Sequence, residues 1–289
     1  MAITKIEGFK IYSNLDGTRS IIIDPNRIEE SLKVYIDYKL EGVAITTAHG
    51  YNLKNVDFLY QYPNIINLSI SDGIQDIKGA YALRNLEKLI LSGPMREVDF
   101  SSFTSLRELR TDWSPKLYNL SKCNNLKVLH FEKFNPKSKN CSTIADLIHV
   151  RNLQLNQSTI SSLSGLENFR LENFEISYSN QINSLCCLDN SIESLSSLQF
   201  NSCKGIVNHD YVSRFKQLKI LAYNRCGTIQ SIKFIERMNA LQSFRLVGTD
   251  VADGDMSPGI RLKFLGFNSK KHFSHTFEEI KALQDLHSV

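Results

Sequence analysis

The sequence predicts an α/β solenoid built from stacked coils, and three observations carry that prediction. An apolar frame returns eleven times along the 289 residues: apolar, two residues, apolar, one residue, apolar. Its starts lie 20 to 25 residues apart. A second pattern, apolar at every third residue, follows many of the frames. Of the 33 frame positions, 31 hold Leu, Ile, Val or Phe, and the exceptions are Thr111 and Tyr223. Hydrophobic residues make up 42% of the chain, too few for chance to hold that register through eleven units.

Each part of the frame has a physical role. The first copy is Leu40-x-x-Val43-x-Ile45 and the last is Leu262-x-x-Leu265-x-Phe267. Alternate side chains of a strand point to opposite faces, so the fourth and sixth positions point inward together. The first position seals the coil where the chain enters the strand. No single coil buries its own apolar face, so neighbours must stack. The second pattern appears as Ile160-x-x-Leu163-x-x-Leu166, Ile182-x-x-Leu185-x-x-Leu188 and Ile229-x-x-Ile232-x-x-Ile235. A period of three suits a 3-10 helix, whose side chains eclipse at i and i+3. The expected fold is a leucine-rich repeat solenoid. Its curved parallel β-sheet forms the concave side, and short 3-10 helices or loops form the convex side.

The stretch 150–167, VRNLQLNQSTISSLSGLE, resembles the short repeats of bacterial internalins and of phosphatase-regulatory leucine-rich repeat proteins. The resemblance covers residues 40–270 and implies the fold without implying a ligand. It departs from the family at the ninth position of the coil. There the family places Asn, whose amide bridges neighbouring coils. This chain has Ala48, Gly73, Pro94, Ser114, Phe134, Ser158, Ser179, Cys203, Cys226, Thr249 and Lys270. The expectation is a degenerate ladder with irregular loops, most of all around Pro94, Phe134 and Lys270.

The repeats claim residues 40–270, leaving 1–39 and 271–289 as expected caps of one elongated domain. Residues 3–12 and 18–23 are β-rich and flank Asn14-Leu15-Asp16-Gly17, which reads as a hairpin turn. Arg27–Tyr38 reads as a short amphipathic helix. At the other end Thr276-Phe277-Glu278-Glu279 reads as a capping box opening a helix that runs to His287.

Composition narrows the function. The net charge is +4, modest for a nucleic-acid binder. The N-terminal residues lack a basic-then-apolar signal, and no 18-residue apolar run suggests a membrane span. The expectation is a cytoplasmic monomer, with signal-free secretion as the alternative. Six cysteines are too few for a disulfide scaffold. Cys203 and Cys226 occupy the same position of consecutive coils, so a disulfide is geometrically open to them. Reduced, space-filling thiols are the favoured reading. No phosphate-cradling glycine loop, nucleophile elbow or His-Glu-x-x-His helix occurs. His272-Phe273-Ser274-His275 lacks further ligands at metal spacing. The sequence therefore predicts no catalysis, no metal and no cofactor.

What remains is a binding face. The third and fifth positions point outward beside the buried fourth and sixth, and the seventh and eighth lie at the lip. Eleven strands at ~4.8 Å spacing give a surface roughly 50 Å long, enough for a protein-sized partner. Trp113, the only Trp, falls at the lip. The register gathers Arg110, Asp112, His130, Glu132 and Lys133 around it. Gln154, Tyr178, Arg225 and Arg245 extend the candidate surface. Trp and Arg dominate interface energies, and mixed charge favours a protein over a polyanion. The predicted function is a non-catalytic protein-binding module, in its concrete form a bacterial toxin-immunity or inhibitor protein. The alternatives are a signal-free effector that engages a host protein, and a carbohydrate- or nucleic-acid-binding protein.

Overall fold

The computed structural model describes residues 2–14, 17–93 and 97–287. The chain divides into two compact units, Met1–Leu129 and His130–Val289. The division falls inside the strand Val128–Glu132, so one apolar frame contributes Leu129 to the first unit and Phe131 to the second.

All 33 frame positions are buried, Thr111 and Tyr223 included. Every copy of the frame carries a strand. In the first unit the parallel strands begin with Gly42–Ile45, Asn67–Ile70 and Lys88–Leu91, and Glu108–Asp112 follows. Their registers keep like positions side by side: Val43 beside Leu68, Leu68 beside Leu89, and Leu89 beside Leu109. The second unit repeats this from Asn152–Asn156 to Phe264–Gly266, with Leu153, Phe174, Leu198, Leu221, Phe244 and Leu265 in one inward row. Short 3-10 helices such as Lys78–Ala82, Cys186–Ser191 and Lys233–Arg237 return the chain between strands. Their length follows from the repeat, since 20 to 25 residues leave no room for a long helix beside a strand.

The first unit opens with Ala2–Ile6 and Phe9–Ser13, an antiparallel pair that turns at Glu7 and Gly8. The sequence reading had run these two strands together. Phe9–Ser13 then pairs antiparallel with Arg19–Ile22, which lies parallel to Gly42–Ile45. Of the turn expected at 14–17, Leu15 and Asp16 lie outside the described residues. The helix Ile28–Asp37 buries Leu32 and Val34. The second unit ends in the helix Phe277–His287, opened by a reciprocal capping box. Thr276 N–H donates to Glu279 Oε2 at 2.7 Å, and Glu279 N–H donates to Thr276 Oγ1 at 3.2 Å.

The expected degenerate ladder is corrected by the structure over coils 158–249. Ser158 Oγ donates to Phe134 O at 3.0 Å, and Ser179 Oγ donates to Ser158 O at 3.2 Å. From there each side chain does two jobs. Cys203 N–H donates to Cys226 Sγ at 3.5 Å, while Cys226 Sγ donates to Phe200 O at 3.3 Å. Cys226 N–H donates to Thr249 Oγ1 at 2.9 Å, and Thr249 Oγ1 donates to Tyr223 O. A hydroxyl or thiol accepts from one backbone N–H and donates to one C=O, as a bridging amide does, so the ladder survives without Asn. Phe134, expected to disturb its coil, is buried and stacks on Phe131 with centroids 5.5 Å apart. Lys270 pairs with Asp250 at 2.7 Å, and Pro94 lies outside the described residues. Cys203 and Cys226 are free thiols, and burial pushes the Cys226 thiol up to about 12.

Two stability predictions follow from this packing. Thr249→Val keeps the shape of the side chain and removes its oxygen, leaving Cys226 N–H and Tyr223 C=O without their bridge. We expect a loss of about 1–3 kcal/mol in urea unfolding, with Thr249→Ser retaining most of the stability; equal midpoints for wild type and Thr249→Val would show that the ladder contributes nothing. His209 is buried edge-on to the Tyr223 ring, with centroids 5.0 Å apart. Burial lowers its pKa, against a smaller upward pull from Asp210. The unfolded chain therefore takes up a proton that the folded chain resists. Stability should fall as the pH drops below about 6.5, the free-histidine value, and level off below the folded value. His209→Phe should flatten that slope in pH-dependent melts, and an unchanged slope would place the sensitivity elsewhere.

Candidate binding surface

The sequence-predicted residues fall in both units, so each group is described within its own unit. In the first, Arg110 is exposed on the open face of the sheet. Its Nε lies 2.7 Å from Glu108 Oε1, and Lys88 Nζ lies 3.3 Å from the same oxygen. One carboxylate thus serves two cations, holding Arg110 along its own strand. Asp112 and Trp113 follow, both half-buried. In the second unit His130 Nε2 lies 2.9 Å from Glu132 Oε1, which also accepts from Asn156 Nδ2 at 3.0 Å. Lys133 is exposed at the lip.

The eighth position of the coil has a conformational signature. Lys133, Gln157, Tyr178, Ser202 and Arg225 all have positive φ, between 46° and 60°. Gly93 and Gly248 occupy the same position with φ of 90° and 72°. In these seven coils the strand ends here and the chain swings away through the left-handed region, whereas Thr47, Asp72, Trp113 and Ser269 hold the same position without it. Non-glycine residues adopt it at a cost of about 1 kcal/mol. Tyr178 is left 54% exposed in that conformation.

The middle of the second unit's open face is polar and largely satisfied from within. Asn173 Nδ2 donates to Asn152 Oδ1, and Asn201 Nδ2 donates to Glu175 Oε1 at 2.9 Å. Asn224 Nδ2 donates to Asn201 Oδ1 at 2.9 Å. Gln199 reaches Ser197 Oγ at 3.3 Å, and Gln154 lies half-buried opposite Glu175. This column stops at Asn224. Its Oδ1 is buried with no partner among the described residues, because Val247 follows in the same position and has no donor.

Beyond Asn224 the character of the face changes. Ile220, Ser243 and Phe264 stand side by side in one outward row, and Ala222, Arg245 and Gly266 in the next. Ile220, Val247 and Phe264 are exposed, Phe264 to 40%. Arg245 lies over the Phe264 ring, 5.9 Å from its centroid. A Cβ on Gly266 would come within 2.7 Å of that ring, so only glycine lets the ring lie across the sheet. Likewise a Cβ on Gly248 would come within 2.9 Å of Arg225 Cγ. Neither Arg225 nor Arg245 has a carboxylate partner among the described residues. Sequence reasoning found Tyr178, Arg225 and Arg245 but missed Ile220, Val247 and Phe264. The signal is in the frame, since Ile220 and Phe264 are apolar at outward third positions and Val247 is apolar at a seventh.

Among the described residues no three His, Cys, Asp or Glu side chains gather as metal ligands. His272 Nε2 lies 3.1 Å from Val251 O, and His275 Nδ1 lies 2.9 Å from Ser274 Oγ. No helix among those residues is long and apolar enough to cross a membrane.

No family model matches the chain, and no curated protein matches it in sequence. Among solved structures, the internalin InlF of Listeria monocytogenes is similar with a TM-score of 0.50 and 21% identity. The match covers 72% of this chain and 56% of the internalin, so the chain spans little more than half of that protein's length. An internalin C2 of the same species has a TM-score of 0.41 and 20% identity, over 72% of this chain and 83% of that one. A leucine-rich repeat protein of Leptospira interrogans has a TM-score of 0.45 and 16% identity, over 94% and 85%. The last two are too distant to carry an argument, and at 21% identity the first speaks for fold alone. Joined to the buried frame and the parallel strands, it gives the chain the leucine-rich repeat fold, with short repeats like those of the internalins.

Proposed function

We propose that this protein is a non-catalytic binding module whose open sheet face captures another protein. The observation that carries the reading is the end of the polar column at Asn224. Beyond it lie two arginines without carboxylate partners, set among exposed Ile220, Val247 and Phe264. A partner fitting this patch presents a carboxylate beside apolar side chains. The patch stands on strands, so little order is lost on binding, which favours affinity. Within the second unit His130, Glu132, Lys133 and Gln154 are proposed as further contact residues; within the first unit Arg110, Asp112 and Trp113 are proposed as contact residues of their own.

In its concrete form the module is a bacterial immunity or inhibitor protein that occludes a toxin. A rigid preorganised face suits blocking, and six free thiols fit a reducing cytoplasm. Residues 1–39 and 271–289 serve in this reading as covers for the two ends of the 40–270 repeats. An exposed strand edge would otherwise pair with other chains.

Two outcomes test the surface. Arg245→Glu combined with Phe264→Ala should weaken capture of the native partner about 30-fold or more, the cost of losing a hot spot, while the thermal midpoint stays within about a degree or two of wild type. Capture at wild-type affinity would remove this patch from the interface. Trp113→Ala provides the matched test in the first unit: lost affinity with unchanged stability makes Trp113 an anchor, whereas lost stability with unchanged affinity makes it local packing. For the immunity reading, the protein should suppress a toxin encoded by a neighbouring gene. Full toxin activity in the presence of excess protein rejects that role and leaves the surface test standing.

A further inference from the structure

A separate hollow lies on the open face of the first unit, and its chemistry differs from that of the arginine patch. It encloses about 310 Å³, at the small end of small-molecule sites. Its origin can be read in the outward positions. The first strand of the frame places Gly42 and Ala44 there, and the next places Ser69. Three small residues leave the strand backbone at Val43 and Leu68 as the floor, with Ala44 and Ile90 as apolar side chains beside it. A Cβ at Gly42 would sit 2.7 Å from Ser20 Oγ, so glycine lets that hydroxyl approach. Tyr12 and Asn14 wall one end, and Lys88 and Ile90 wall the other.

The polar groups around this floor are neutral and underused. The hydroxyls of Ser20, Ser69 and Ser92 make no hydrogen bond among the described residues. Thr46 lines the same hollow, is only 8% exposed, and its hydroxyl also lacks a partner. Asn67 spends its amide N–H on Glu41 O at 2.7 Å, and its side-chain oxygen makes no such bond. The one lysine that lines it, Lys88, is engaged by Glu108 at 3.3 Å, a carboxylate it shares with Arg110. The site therefore offers several donors and acceptors beside apolar side chains, with its lysine already held by a carboxylate.

We propose that this hollow binds a neutral saccharide of one or two rings. A sugar ring has the matching chemistry: one face of C–H groups to lie on Tyr12, Ala44 and Ile90, and an equatorial edge of hydroxyls to meet Thr46, Ser69, Ser92 and Ser20. An anion would have to compete with Glu108 for Lys88, and a purely apolar ligand would leave the hydroxyls unpaired. The site lies wholly within the first unit, and its test is independent of any protein partner.

The purified protein is screened on an array of neutral glycans, and hits are confirmed by saturation-transfer NMR with the free oligosaccharide. Ser69→Trp fills the hollow from its floor and serves as the blocked variant. Thr46→Val removes the inner hydroxyl without adding bulk and guards against a misfolded Trp variant. The expected result is binding of at least one neutral glycan, lost in Ser69→Trp and weakened about fivefold or more in Thr46→Val, the worth of one hydrogen bond to a buried group. It should be insensitive to salt, since no ion pair is involved. Binding no stronger than in Ser69→Trp across the array overturns the proposal, as does binding confined to charged glycans. Loss of a protein partner in Ser69→Trp without any glycan binding also overturns it, and makes the hollow a peptide subsite.

Discussion

The point at which each strand ends constrains everything else in this molecule. There the chain leaves the sheet, and its N–H and C=O lose the ladder partners that neighbouring strands supply. Those groups are buried, so they must be bridged. In the second unit Cys226 and Thr249 do this, each accepting an N–H of the preceding coil and donating to one of its C=O groups, while Ser158 and Ser179 supply the donor half. Ser, Thr and Cys are interchangeable in that role because each carries a donor and an acceptor on one atom. Phe134 cannot act so, yet its backbone still enters the scheme: its C=O accepts from Ser158 Oγ, and its N–H donates to Asn156 O. The apolar frame drives stacking, and the bridge sets the registration that stacking alone would leave loose.

The same turn explains why binding side chains stand where they do. In seven of the coils the residue before the bridge takes a positive φ to leave the strand. Glycine adopts this freely, and Gly93 and Gly248 do. Lys133, Gln157, Tyr178 and Arg225 accept the strain instead. A position that favours glycine but holds long polar or aromatic side chains over successive coils is accounted for if those side chains are wanted at the lip. Backbone strain of this kind gathers where function constrains a residue.

The frame was fully legible in the sequence, since burial follows its period at every position, even at Thr111 and Tyr223. The helices at 28–37 and 277–287 were legible through amphipathic spacing and the capping box. The ladder was misread because the search was for one residue type, Asn, when the requirement is one functional group. The site was only partly legible. Periodicity says which positions face outward, but which polar side chains spend their hydrogen bonds on each other depends on neighbours 20 or more residues away. Glu175 looks like a candidate contact in the sequence and proves to be held by Asn201. Ile220 and Phe264 stand at outward third positions in the sequence, and their exposure there follows the frame. The hollow beneath Ser69 was invisible for the same reason, because it is made by three small residues on two different coils.

That division of hydrogen bonds also argues about the kind of recognition involved. Glu132 and Glu175 are tied up by His130, Asn156 and Asn201. Glu108 is shared by Lys88 and Arg110. These carboxylates are already oriented and engaged, so a basic ligand must compete with internal partners to reach them. Arg225 and Arg245 face no such competition. Arg245 rests on Phe264, whose ring holds the guanidinium by its face and leaves the N–H edges open. A bidentate carboxylate can meet those edges without displacing anything. Selectivity at this face therefore comes from what the protein has left unpaired as much as from the residues it presents.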